Sequence, residues 1–216
     1  MGYNGLRKSW IFPGQASQFV GMGKDLFDNT DIGKKYYNLG NDILEFDIQD
    51  ISFNGPKEKL KITKFTQPAI FIVSSIISHL LTERGHVPDC VAGHSLGEYS
   101  ALTAAGGISF ETGLELVKIR SKSMDKAGII NSGTMAAIIG LDMDSVIKLA
   151  SSIKTNEVIV AANHNTENQI VISGNINAVN KFVSTAKENG ARMAVPINVS
   201  GAFHSSLMKP AREELA

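Results

Sequence analysis

Gly93-His94-Ser95-Leu96-Gly97 has the spacing G-x-S-x-G, in which a serine hydroxyl stands exposed on a strained turn between a strand and a helix. The glycines keep side chains out of that turn, and the helix behind it offers free backbone N–H groups to an oxyanion. That is the chemistry of acyl transfer through a serine ester. Taken alone, the pentapeptide equally fits a plain strand-to-helix turn. Arg120 shares a helical face with Leu116, Val117 and Met124. A guanidinium on such an apolar face needs a carboxylate partner, unless its head reaches water. His204 follows Ser200-Gly201-Ala202-Phe203, and by itself it reads as a loop or core histidine. Gln15, after Pro13-Gly14, reads by itself as a turn glutamine facing solvent. Cys90 is expected to be a small buried strand residue, and His79, His86 and His164 to be structural or at the surface.

The elements needed to hold these residues are visible in the pattern. Trp10-Ile11-Phe12 running into Pro13-Gly14 is a short buried strand stopped by a turn. Residues 33 to 62 carry mixed helical patterns interrupted by a loop at Asn54-Gly55-Pro56. A helix is expected from Gln67, with Pro68 in its first turn, to Arg84, with Gly85 as its stop. Cys90-Val91-Ala92 is a strand leading into the serine turn. A small-residue helix then ends near Gly106-Gly107, and another runs from Phe110 to Ala127. From Gly133 onward the order is strand (134–141), helix (142–152), strands (157–162 and 169–173), helix (178–189) and strand (192–197). That β-α-β-β-α-β series is a ferredoxin-like split unit. The expected fold is therefore α/β, with a body over 1–129 and 198–216 and an inserted subdomain over 130–197.

Composition narrows the function. The 216 residues carry 21 basic and 21 acidic side chains and 43% hydrophobic content, enough for a sizeable core. Zero formal charge and the lack of a basic run exclude an electrostatic footprint for nucleic acid or a membrane surface. The single Cys90 rules out an internal disulfide, and no Cys/His cluster suggests a metal, so a cytoplasmic setting is expected. Met1 to Lys8 has no apolar signal region, and Leu6 stands where a myristoylation signal wants Ser or Thr. The most apolar stretch, Ala69 to Leu81, is too short to span a bilayer and is broken by Ser74, Ser75, Ser78 and His79.

Five motifs in order resemble the malonyl-CoA:acyl carrier protein transacylases and the acyltransferase domains of polyketide and fatty-acid synthases. Phe12-Pro13-Gly14-Gln15-Ala16-Ser17-Gln18 is similar to FPGQGSQ, Thr66-Gln67-Pro68-Ala69 to TQPA, and Gly93-His94-Ser95-Leu96-Gly97-Glu98-Tyr99 to GHSLGEY. Gln169-Ile170-Val171-Ile172-Ser173-Gly174 and Gly201-Ala202-Phe203-His204-Ser205 follow, with Arg120 at its family-like place. The resemblance implies an α/β-hydrolase-like body with a ferredoxin-like insert. Its implied activity is malonyl transfer from coenzyme A to the phosphopantetheine thiol of an acyl carrier protein, without a cofactor. It makes Ser95 the nucleophile and His204 the base, with the backbone N–H groups of Leu96 and Gln15 as oxyanion donors and Arg120 on the malonyl carboxylate. Phe203 would leave little room for an α-methyl group, His94 would line the pocket, and Gln67 and Asn165 would touch acyl or pantetheine groups. Two departures stand out: Ala16 replaces the family's second glycine, and family members run longer. The resemblance puts the carbonyl that orients the catalytic histidine in that additional part, so the 216 residues alone are expected to catalyse poorly.

Two other functions remain open at this level. A serine hydrolase acting on carrier-protein or coenzyme A thioesters would use the same elbow, although it would have no need of Arg120. A noncatalytic docking fragment would need neither.

Overall fold

The computed structural model describes residues 7–153 and 156–216, so the reading of Met1 to Leu6 lies outside the described residues. The chain is α/β and divides into two compact units, Met1–Lys122 and Ser123–Ala216.

In the first unit β1 (Ser9–Phe12) pairs in parallel with β2 (Cys90–Gly93), Phe12 opposite Gly93. Between them in sequence come α1 (Lys24–Asn29), α2 (Asp31–Leu44), α3 (Ile48–Asn54), α4 (Lys57–Leu60) and α5 (Thr63–Glu83). Thr30 caps α2 by accepting from the Gly33 N–H at 3.0 Å, and Asp47 caps α3 through the Asp50 N–H at 2.8 Å. Both satisfy donors that a helix start leaves open. After β2 come α6 (Gly97–Ala104) and α7 (Phe110–Ile130), which carries on past the boundary between the units.

Helix α5 starts four residues before the expected Gln67, which places Pro68 inside it. The physical reason lies in its first turn, where Thr63 and Thr66 are buried and the Thr66 hydroxyl donates back to the Leu60 carbonyl at 2.5 Å. The full 21-residue helix is long and apolar enough to cross a membrane, unlike the shorter stretch read from the sequence, but 61% of its apolar window is buried inside the fold. It is a core helix: Ala69, Ile70, Phe71, Ile72 and Ile76 pack with Tyr37, Leu96 and Leu114. Each fully buried large side chain of this kind contributes about 1.5–3 kcal/mol.

The second unit carries β3 (Thr134–Ile139), α8 (Met143–Ser152), β4 (Ile159–Thr166), β5 (Gln169–Gly174), α9 (Ile176–Ala186) and β6 (Met193–Ile197). The sheet order is β4-β5-β3-β6, with every neighbour antiparallel. Asp142 caps α8 by accepting from the Ser145 N–H at 2.8 Å, and the Ser145 hydroxyl, followed by that N–H, holds its carboxyl below the usual range. Ile138, Ile170, Ile172, Val146, Val179 and Phe182 form the core between sheet and helices. A 3-10 turn (Ser206–Met208) and α10 (Lys209–Leu215) follow.

Candidate active site

The serine turn follows from how closely β1 and α6 approach. His94 N–H donates to the Phe12 carbonyl at 3.0 Å, and the Gly97 and Glu98 N–H groups return to the carbonyls of His94 and Ser95 at 3.0 and 3.3 Å. A Cβ on Gly97 would sit 2.2 Å from the Phe12 carbonyl oxygen, so only glycine lets the helix start against β1. The cost of turning so sharply falls on Ser95, whose φ is 55°, in the left-handed region where a side chain is strained. The loop after β1 is pressed on the same turn: a Cβ on Gly14 would meet the His94 carbonyl oxygen at 2.6 Å. Ala16 in that loop has φ 83°, the backbone shape for which glycine is the natural residue. Its N–H donates to Gln18 Oε1 at 2.9 Å, and Ser17 Oγ donates to the Gly14 carbonyl at 2.8 Å.

A line of side chains from two helices, α5 and α7, and this loop converges on Ser95. Arg120, on α7, donates from Nη2 to Ser95 Oγ at 3.0 Å and from Nη1 to Gln67 Oε1 at 2.5 Å. Gln67 Nε2 donates to Gln15 Oε1 at 3.2 Å, and Gln15 Nε2 to Thr63 Oγ1 at 3.3 Å. The Arg120 guanidinium also lies 5.7 Å from the centroid of the Tyr99 ring, within cation–π range.

Arg120 is 9% exposed, as its helical spacing requires, yet among the described residues it makes no ion pair. Its partners within the fold are neutral, where the sequence called for a carboxylate. Burial pulls its pKa down, while Tyr99 and the charge of Glu98 pull it back up. The guanidinium remains a cation throughout the accessible pH range. A buried cation with neutral partners and donors at the surface of a serine turn is a receptor for an anionic group.

Gln15, Gln67, Ser95 and Arg120 are thus brought into one hydrogen-bonded line, with His94 and buried Leu96 flanking the serine. His204, Phe203 and Asn165 belong to the second unit. His204 is exposed and has φ 58°. Its turn is pinned by Ser205, whose Oγ donates to the Ala202 carbonyl at 2.6 Å and accepts from the Leu207 N–H at 3.3 Å. Asn131 Nδ2 donates to the Leu207 carbonyl at 3.0 Å. Phe203 is buried with Met124, Met135, Val171 and Met208. Asn165 is exposed after a bulge in β4, and its Nδ2 donates to Gln169 Oε1 at 3.1 Å. Cys90 is exposed, not buried as expected, because β2 belongs to a two-stranded sheet that leaves it open; its Sγ lies 3.0 Å from Ser9 Oγ. Thr63 was not singled out by sequence, since one hydroxyl in a helix's first turn carries no motif. Tyr99 was inside a quoted motif but had been given no part.

Residues 9–216 match the acyl transferase domain family. The malonyl CoA-acyl carrier protein transacylase of Bacillus subtilis is 41% identical over 208 residues, which are 96% of this chain and 66% of that protein. The enzyme of the same name from Synechocystis is 43% identical over 211 residues, 98% of this chain and 68% of that one. The chain therefore spans about two thirds of the length of these relatives. Among solved structures, the malonyl CoA-acyl carrier protein transacylase of Coxiella burnetii superposes with a TM-score of 0.93 at 36% identity, over 97% of this chain and 67% of that one. A malonyl transacylase in complex with a type II polyketide-synthase acyl carrier protein gives 0.92 at 37% identity, over 97% and 68%.

Proposed function

The chain belongs to the acyl transferase domain family, and on that premise we propose that it moves a malonyl group from coenzyme A to the phosphopantetheine thiol of an acyl carrier protein, in fatty-acid or polyketide synthesis. The observation that carries the reading is Arg120: a buried guanidinium with no ion pair among the described residues, one of whose donors reaches the Ser95 hydroxyl. A malonyl thioester supplies both a carboxylate for that cation and a carbonyl for that hydroxyl, whereas an acetyl thioester supplies only the carbonyl.

In the first half-reaction His204 takes the Ser95 proton as Oγ attacks the thioester carbonyl. The tetrahedral oxyanion is held by the N–H groups of Leu96 and Gln15, and collapse expels the coenzyme A thiolate, which His204 protonates. In the second half-reaction the carrier-protein thiol gives its proton to His204 and attacks the malonyl-Ser95 ester. Ser95 leaves with a proton returned from His204. The cycle balances without a cofactor. Arg120 holds the carboxylate through both halves by a charge-assisted, two-pronged contact. Phe203 restricts the space beside the acyl group, His94 lines the pocket, and Gln67 and Asn165 contact acyl or pantetheine groups. The β-α-β-β-α-β sheet of residues 130–197 is assigned as a ferredoxin-like insert in an α/β-hydrolase-like body of 1–129 and 198–216, in a cytoplasmic protein.

The test is incubation with malonyl-CoA followed by mass spectrometry and by addition of an acyl carrier protein. A malonyl adduct on Ser95, absent in Ser95→Ala and passed to the carrier thiol, is expected. Release of free malonate as the main product would make the protein a hydrolase, and an adduct that persists in Ser95→Ala would remove the serine from the mechanism.

A further inference from the structure

We propose that Tyr99 is a positioning residue that holds the Arg120 guanidinium at a fixed reach from Ser95 and thereby selects a malonyl group over the longer succinyl group; this rests on the malonyl-transfer reading above. The guanidinium is met on three sides. Gln67 Oε1 accepts from Nη1, Ser95 Oγ accepts from Nη2, and the centroid of the Tyr99 ring lies 5.7 Å from the guanidinium carbon. The third contact has the reach of a cation–π interaction. Burial disfavours the guanidinium charge, and the Tyr99 phenol offsets part of that.

These contacts do not last equally through the proposed cycle. Once Ser95 is esterified its Oγ is a weak acceptor, and Nη2 is needed for the malonyl carboxylate. Gln67 and Tyr99 then remain. A hydrogen bond along one edge lets a planar group pivot, whereas a second contact from another helix fixes its aim. Tyr99 is suited to that part by where it stands, one helical turn beyond Ser95 and in the first turn of α6. Its N–H donates to the Leu96 carbonyl at 3.1 Å, its carbonyl accepts from Thr103 Oγ1 at 2.9 Å, and its side chain packs against the core of the first unit. Gly97 seats the start of the same helix against the Phe12 carbonyl. The ring that steadies the guanidinium therefore belongs to one short rigid piece with the hydroxyl that attacks. Malonyl has one methylene between its reacting carbonyl and its carboxylate, and succinyl has two. A receptor held at a fixed reach from Ser95 Oγ fits only one of these lengths.

The measurement is kcat/KM for transfer of malonyl, succinyl and acetyl groups from coenzyme A to a carrier protein by wild type, Tyr99→Leu and Tyr99→Phe, in the chain extended to the length of its relatives. Tyr99→Leu keeps an apolar side chain against the core and removes the ring. It is expected to lower kcat/KM for malonyl-CoA about 2- to 30-fold and to narrow the malonyl-to-succinyl preference. Acetyl-CoA, which leaves the guanidinium unused, should lose less. Tyr99→Phe restores a ring and should lie closer to wild type than Tyr99→Leu in both the malonyl-to-succinyl and the malonyl-to-acetyl ratio. Each ratio is taken on one enzyme sample, so it does not depend on the fraction that is folded. Equal losses on malonyl and acetyl would mean that Tyr99 only supports the serine turn, and would overturn the proposal. An unchanged malonyl-to-succinyl ratio, or a Tyr99→Phe no better than Tyr99→Leu, would overturn it too. Absence of malonyl transfer in the wild-type protein would instead strike the functional reading itself, so the two failures are distinguishable.

Discussion

The two units of the chain spend their interiors differently. Inside the first lie Thr63, Thr66, Gln67, Ser100 and Arg120; beneath the sheet of the second lie Ile138, Ile170, Ile172, Val179 and Phe182. The sheets differ in the same sense. The parallel pair β1–β2 leaves Ile11 79% exposed and Phe19 65% exposed, beside an open groove of about 600 Å³ bounded by β1 and α5. Parallel strands are ordinarily covered on both faces, and two of them make a marginal sheet. The second unit's four antiparallel strands close over an apolar core. The β6 edge, where Met193 and Val195 are exposed, carries Pro196, which lacks the N–H an additional strand would need. The first unit thus sets a hydrogen-bonded line beside an apolar core of its own around Tyr37, Phe71 and Leu114, whereas the interior of the second is almost wholly apolar.

The largest effect that tests this division is in the second unit. Phe182 has no exposed surface, so Phe182→Ala should lower the unfolding free energy by about 3–5 kcal/mol through lost transfer energy and a cavity. Urea denaturation followed by amide exchange at Ile170 and Ile172 measures it. Trp10, the single tryptophan, lies in the first unit and packs edge-on to Phe12 at 6.5 Å. If its fluorescence midpoint falls as far as the exchange midpoint, the two interiors unfold as one and their separation is one of composition only.

In the first unit a comparably buried side chain should behave in the opposite way. Arg120→Ala removes a desolvated cation with neutral partners, so the fold should lose little, while kcat/KM for malonyl-CoA falls by about 1.5–3 kcal/mol, the usual worth of a hydrogen bond to a charged group. Acetyl-CoA use should hold or rise. Equal losses on both substrates would make Arg120 a structural residue and erase the contrast with Phe182.

The sequence made some of this contrast legible and hid the rest for identifiable reasons. One helix start that rests on a side-chain cap was readable: the helix expected from Asp142 begins at Met143 with Asp142 as its cap, whereas the capped starts at Thr30 and Asp47 were not singled out. Helix α5 starts earlier than Pro68 indicates because Thr63 and Thr66 are held by burial, and burial depends on packing far away in sequence. Periodicity placed Arg120 inside but could not name its neighbours, since Gln67 is 53 positions away. The strained serine turn was legible because glycines and spacing imprint it locally. Cys90 was misjudged because strand composition says what a residue prefers, while exposure depends on how many strands join the sheet. Thr63 left no trace because its part depends wholly on partners brought in by folding.

The smallest expected effect concerns the non-glycine residues at positive φ among the described residues, of which Ala16, Glu45 and Ser95 lie in the first unit and His204 in the second. Ser95 and His204 cannot be changed without removing the proposed chemistry, and Glu45 merely closes α2, so Ala16 is the one place where strain can be relieved cleanly. The left-handed conformation costs an ordinary residue about 1–2 kcal/mol, whereas glycine loses about 0.4–1 kcal/mol more backbone entropy on folding. The first term outweighs the second, and Ala16→Gly should stabilise the protein by about 0.5–1 kcal/mol, seen as a modest rise in the urea midpoint reported by Trp10. The loop's own bonds limit any loss of order: the Ala16 N–H still reaches Gln18 Oε1 and Ser17 still ties to the Gly14 carbonyl. A lower midpoint would mean that the methyl group of Ala16 contributes packing greater than its backbone strain. The strain in this loop would then be compensated locally, and the contrast between a strained first unit and a relaxed second one would weaken.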